Sequence, residues 1–163
     1  MKQVLTAITV FVFFLATTPF VLATDYAGTE LVVQDGKKSK ETDTLLKLND
    51  TTLEIIPKKA DFKQHTKNFN YTDIKVADYS YSKKPMLSGG GAIATALLVG
   101  FIFALPFLFI KKKSHWLSIQ TEKDFAVLKL DGSNYRAILA DLGSKGVKIT
   151  EVKEEETKKK KDK

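Results

Sequence analysis

From Gly28 to Lys84 the chain alternates apolar and polar residues in short steps, which predicts strand after strand and no helix. Thr29-Glu30-Leu31-Val32-Val33 is short and β-branched, and Asp35-Gly36 follows it as a turn signal. Lys37 to Asp43 reads as a charged, solvated loop. Thr44 to Leu48 and Thr52 to Ile56 flank Asn49-Asp50-Thr51, the pattern of a hairpin of half-buried strands closed by Pro57. Phe69-Asn70-Tyr71-Thr72-Asp73-Ile74 then leads into a further strand from Val76 to Tyr81.

Alternation stops at a long apolar run, Met86 to Ile110, and resumes beyond it. Trp116 to Gln120 and Phe125 to Leu130 form a second predicted hairpin about Glu122-Lys123-Asp124, with Phe125, Val127 and Lys129 on one face and Ala126, Leu128 and Leu130 on the other. After Asp131-Gly132-Ser133, the residues Tyr135, Ile138, Leu139 and Leu142 fall at helical spacing, with Ser133 as the expected N-cap and Gly143 as the expected C-cap. Val147 to Val152 adds a last short strand. The expected fold is therefore mainly β with one C-terminal α-helix, an α+β class. Because an isolated hairpin is marginal in water, the two flanks of the apolar run are expected to share one sheet.

The run itself points to a membrane. No charged residue lies among the 19 residues from Ala92 to Ile110, which as a helix would reach about 28 Å, close to a hydrocarbon core of about 30 Å. Lys83, Lys84, Lys111, Lys112 and Lys113 fence it, and with His115 and Trp116 they are the expected membrane-interface residues. Two topologies stay open. A single crossing would put the flanks on opposite sides; a re-entrant excursion would keep the sheet whole, with Gly100 near its tip, and is preferred because each flank lacks a partner sheet without the other.

At the start, Lys2, the apolar stretch from Val4 to Leu15 and Val21-Leu22-Ala23 have the parts of a secretory signal, residues 1–23, with an uncleaved anchor as the alternative. The remaining organisation is a first β part over 24–85, the apolar segment over 86–110, a second part over 111–152 and a charged, disordered tail over 153–163. An exported membrane location follows, with the polar parts on the extracytoplasmic side. The chain has no cysteine, so packing alone holds the fold.

Net charge is +7, concentrated after the apolar run: residues 24–85 hold 11 basic and 10 acidic side chains, residues 111–163 hold 14 and 9. Lysines near anionic headgroups account for this excess. A nucleic-acid partner is not expected, because the chain has one arginine, Arg136. Neither are catalytic residues, a metal or a cofactor: His65 and His115 lack ligand-spaced partners, Asp73 reads as a turn residue, and Gly89-Gly90-Gly91 reads as a hinge. Asn49-Asp50-Thr51 and Asn70-Tyr71-Thr72 match the glycosylation pattern, which is common by chance.

Gly28 to Val33, Phe69 to Ile74, Trp116 to Gln120, Phe125 to Leu130 and Ser133 to Leu142 together resemble the pleckstrin-homology-like superfamily, in its bacterial and GRAM-type versions. The His115-Trp116 pair and the helix start Asn134-Tyr135-Arg136 are also similar to those of small exported bacterial membrane proteins with a short hydrophobic insert. The resemblance implies a bent antiparallel sheet of about seven strands capped by a helix, here interrupted by the membrane segment, and it brings no catalytic residue. It does not imply phosphoinositide binding, since Asp35, Glu41 and Asp43 interrupt the lysines Lys37, Lys38 and Lys40. The expected function is a non-catalytic, membrane-anchored module binding a lipid surface or a protein partner; the alternative is a single-pass structural or signalling component of a larger assembly.

Overall fold

The computed structural model describes residues 23–35, 38–88 and 112–153. Four strands come first: β1 (Thr24–Asp35), β2 (Lys38–Leu48), β3 (Thr52–Pro57) and, after a 3-10 turn over Ala60–His65, β4 (Lys67–Asn70). A second 3-10 turn, Tyr71–Asp73, leads to β5 (Val76–Ser82), then come β6 (Ser114–Gln120), β7 (Phe125–Leu130), the helix α1 (Tyr135–Ser144) and β8 (Ile149–Glu151). All eight strands lie in one sheet of order β4-β3-β2-β1-β7-β6-β5-β8, antiparallel except for the β5–β8 pair. Among the described residues the fold is mainly β with one α-helix, and the flanks of the apolar run share a sheet.

Among the described residues no helix is long and apolar enough to cross a membrane. Of the run over 86–110, only Met86 to Ser88 is described, and the signal and tail lie outside the described residues apart from Ala23 and Lys153.

Three local readings are corrected. The segment expected to be a loop over 37–43 is strand from Lys38 onward, because its inward positions are Thr42 and Thr44, both buried, and a buried threonine does not register as apolar. Ser133 does not cap α1; Asn134 holds the N-cap position and makes no side-chain cap bond, while the Ser133 amide and hydroxyl both donate to Asp131 Oδ1. At the other end the helix runs past Gly143 to Ser144, and Gly146, with φ +85°, makes the left-handed turn that ends it.

One face of the sheet forms the core. Leu31 and Val33 of β1, Leu46 and Leu48 of β2, Leu53 and Ile55 of β3 and Phe69 of β4 join Leu117 and Ile119 of β6 and Leu128 of β7 in one buried cluster. Strands from opposite ends of the sheet meet in it, so the sheet curls around its contents. Ile138 and Leu142 of α1, both fully buried, close the open side. The helix docks on a bulge in β1, where the register shifts between Tyr26 and Thr29 and Gly28 takes φ +77°. There Asn134 Nδ2 donates to Ala27 O at 2.6 Å and Tyr26 Oη donates to Asp141 Oδ2 at 2.6 Å.

Two meanders, β1–β4 and β5–β7, meet at the β1–β7 seam, registered by Glu30↔Lys129 and Leu31↔Leu128. On the outer face Lys129 Nζ donates to Glu30 Oε2 at 2.9 Å and to Glu41 Oε2 at 2.7 Å, tying β7 to β1 and β2. The carboxylates share the site. Burial first, then the hydrogen bond with Glu30, pushes Glu41 up, while that same bond holds Glu30 below its usual range. Removing the ammonium leaves two facing carboxylates that repel when both are charged and bind a proton more readily. Lys129→Met should therefore cost about 1–2 kcal/mol at pH 7, less than for a fully buried pair because all three groups touch water, and the loss should shrink towards pH 4 as one carboxyl protonates. Urea unfolding midpoints of the two chains at both pH values check this.

Candidate functional site

The chain leaves the domain for the apolar run at the end of β5 and returns at the start of β6. These strands are antiparallel neighbours, and Ser82 and Ser114 are register partners. The two strands that bracket the insert are thus neighbours in one sheet.

The outgoing end does not continue straight on. Ser82 Oγ donates to Lys84 O, the chain reverses, Met86 N donates to Ser80 Oγ at 3.3 Å, and Ser88 N and Oγ donate to Asp78 Oδ2 at 2.9 and 3.2 Å. Residues 83–88 form a strap that runs back along β5 over the outer face of the sheet. Its anchors Asp78, Ser80 and Ser82 point to that face because Ala77, Tyr79 and Tyr81 alternate with them towards the other. Under the strap Leu87 packs against Val32, Trp116 and Val127, a second small core on the outer face. Trp116 Nε1 donates to Ser82 O at 3.1 Å.

Trp116 therefore does not stand at an exposed interface. It is fully buried, because the register that sets it opposite Ser80 and Lys129 turns it to the outer face beneath the strap. Of the lysines expected at the interface, Lys83, Lys84, Lys112 and Lys113 are exposed at the roots of the insert, and Lys111 lies outside the described residues.

His115 is the expected site residue around which the structure gathers aromatic rings. On the inner face, beyond the end of the core, its imidazole stacks on Tyr135 of α1 with ring centres 3.7 Å apart and meets the Tyr81 ring of β5 at 4.7 Å, tilted by 31°. Tyr79 lies beside it, with Oη 2.8 Å from Nδ1. Arg136 extends the stack, its Nε donating to Tyr135 Oη at 2.9 Å and its Cζ lying 5.6 Å from that ring's centre. Tyr81 is 53% exposed, the exposed large hydrophobic side chain among the described residues. Burial and then the Arg136 charge bias His115 towards its neutral form, with Asp131 pulling the other way, and burial keeps Tyr79 protonated.

A phenol, rather than a carboxylate, occupies the His115 nitrogen that an orienting acid would take in a catalytic triad. The arrangement offers π faces, hydroxyls and cations, the chemistry of adhesion to an interface or a partner. Sequence reading singled out His115 and not Tyr79, Tyr81 or Tyr135 as its companions. The available signal was Tyr79-x-Tyr81 at strand spacing, which puts both rings on the His115 face once β5 is paired with β6.

No family model and no curated protein matches the chain. Among solved structures, the hSac2 domain from human phosphoinositide phosphatase Sac2 is similar at a TM-score of 0.49 and 10% identity, covering 94% of this chain and 89% of that one. At that level nothing is carried from that domain to this chain.

Two outcomes follow for this end of the molecule. Asp78→Ala removes the acceptor of both Ser88 bonds and should free the strap, shifting Trp116 emission to the red and raising its quenching by iodide; the chain's one tryptophan makes the readout unambiguous. His115 should titrate below 6.5, with Arg136→Gln moving its midpoint up and Asp131→Asn moving it further down, followed by NMR of the ring protons. Since the folded value lies below the unfolded one, this group's contribution to stability is complete above 6.5 and is lost as pH falls through that window.

Proposed function

We propose that this protein is a non-catalytic, membrane-anchored module with a pleckstrin-homology-like β domain, held against a bilayer by the apolar run over 86–110 and using that end of the domain to bind a lipid surface or a protein partner. The observation that carries the reading is the Ser82↔Ser114 pairing. The strands that bracket the run are neighbours in one sheet, and its first residues, 86–88, are held back along β5 as far as Asp78, so a run that leaves the β sheet intact begins and finishes on one side of whatever it enters. Exposed Lys83, Lys84, Lys112 and Lys113 flank the paired ends of β5 and β6 and favour anionic headgroups, at about 1 kcal/mol per lysine near the surface. Tyr81 and the rings behind it, on the same end, suit the headgroup layer.

The fold assignment is supported by the strand order. Two antiparallel meanders joined through β1 and β7, followed by one helix on the open side of a curled sheet, match the resemblance read from the sequence. The exported, extracytoplasmic location belongs to the same proposal and rests on the apolar start of the chain. In the single-pass alternative the flanks would stand on opposite sides, which requires β6 to part from β5.

The chain has no cysteine, so single cysteines report topology cleanly. Thr51→Cys, in the first meander, and Lys148→Cys, after α1, are both exposed positions. A membrane-impermeant maleimide should label both in the same preparation, either both in intact membranes or both only after permeabilisation. Labelling of one in intact membranes and the other only after permeabilisation would overturn the proposal.

A further inference from the structure

A second surface lies away from the insert, between the edge strand β4 and the β6–β7 turn. It is a cleft of about 370 Å³ with Asn68, Asn70 and Asp73 on one wall and Thr121, Glu122 and Lys123 on the other. That volume sits at the lower end of the range for ligand sites.

Strand β4 pairs with β3 on one side and is the last strand of the sheet order on the other. Two hydrogen bonds fix which backbone groups point where. Asn49 N donates to Thr52 O, so Thr52 and Glu54 direct their backbone groups to β2 and the alternate residues Thr51, Leu53 and Ile55 direct theirs to β4. Tyr71 N donates to Thr51 O, so Tyr71, Phe69 and Lys67 face β3. By alternation the N–H and C=O of Asn68 and the N–H of Asn70 point outward, into the cleft.

Several of the polar groups around these donors are engaged within the walls. Lys67 Nζ holds Asp124 Oδ1 at 2.6 Å across the cleft, Lys75 Nζ lies 3.9 Å from Glu122 Oε1, and Asn70 Nδ2 donates to Asp73 Oδ2 at 2.8 Å. What the cleft offers is a strand edge with outward backbone groups, flanked by Asp73 on one wall and Lys123 on the other. From this geometry we infer that the cleft binds an extended polypeptide segment, which adds to β4 as a ninth strand through the Asn68 and Asn70 backbone groups. A four-residue edge spans about 13 Å, so the paired core of the ligand is three or four residues. The bonds are to backbone, so the partner is recognised by conformation and by the absence of bulk at the cleft walls rather than by charge.

The test uses the full ¹⁵N-labelled chain in lipid nanodiscs, titrated with acetyl-Thr-Val-Thr-Val-Thr-amide and with the same peptide N-methylated at every amide. The expected result is a saturable shift of the Asn68 and Asn70 amides with the first peptide and binding at least tenfold weaker with the second. Asn70→Pro supplies a protein-side control: Asn70 already has φ −70°, close to the proline value, and its N–H makes no bond to β3, so the sheet is kept while one outward donor is lost. That variant should bind the first peptide at least tenfold more weakly with core amides such as Leu46 and Leu117 unmoved. Equal binding of the methylated peptide, absence of shifts at Asn68 and Asn70, or shifts there produced by maltotriose and not by the peptide would each overturn the inference. The peptide pair decides the matter even if the variant does not fold.

Discussion

Everything in this molecule depends on the seam between β1 and β7. Each meander taken alone would leave an apolar face open to water: Leu46, Leu53 and Ile55 on one side, Leu117, Ile119 and Leu128 on the other. Each such side chain is worth about 1.5–3 kcal/mol when fully buried, and they bury one another only because β1 is long enough to pair with β2 along its length and with β7 near its middle. The seam is short in register, and side chains on both faces reinforce it. Leu31 and Leu128 meet in the core, while Lys129 bridges Glu30 and Glu41 outside. A half-buried charge cluster adds little net energy compared with apolar contacts. Its value here is geometric, since an ammonium between two carboxylates fixes which residue of β7 stands opposite Glu30.

The seam also explains the place of the helix. A sheet that curls until β4 and β6 contribute to one core has an open mouth, and α1 fills it with Ile138 and Leu142. The bulge at Gly28 bends β1 so that Ala27 O meets Asn134. An added Cβ at Gly28 would lie 3.4 Å from Asp131 Cβ, so the loop before the helix is seated against a residue with no side chain.

Much of this architecture is legible in the sequence, and what is not has specific causes. The hairpins over Thr44 to Ile56 and Trp116 to Leu130 show because one face of each is apolar and the alternation is clean. The start of β2 is hidden because its inward positions are Thr42 and Thr44, and Thr44 is satisfied by Thr29, Oγ1 to Oγ1 at 2.8 Å, instead of by apolar packing. Trp116 beside lysines and an apolar run reads as an interface residue, since its facing depends on strand register with Lys129 and Ser80, which local pattern does not contain. The ring stack is hidden for a related reason: Tyr81, His115 and Tyr135 come from three elements, and only β5–β6 pairing and helix docking bring them together. Alternation gives a strand its faces; it does not say which face of a neighbour they meet.

The insert and the domain constrain each other through energy as well as through connection. Carrying the chain beyond the run to the far side of a bilayer would separate β5 from β6 along the whole register from Val76↔Gln120 to Ser82↔Ser114. It would also open Trp116, Leu117 and Ile119, all fully buried, at about 1.5–3 kcal/mol each before any backbone bond is counted. That sum rivals the whole stability of a small domain, about 5–15 kcal/mol. In a bilayer the apolar residues of the run would gain from lipid whether or not the flanks were parted. Under the proposed anchoring, the pairing of β5 with β6 therefore favours flanks on one side of the bilayer, and the strap that ties Ser88 to Asp78 lays the first residues of the run on the outer face of the sheet.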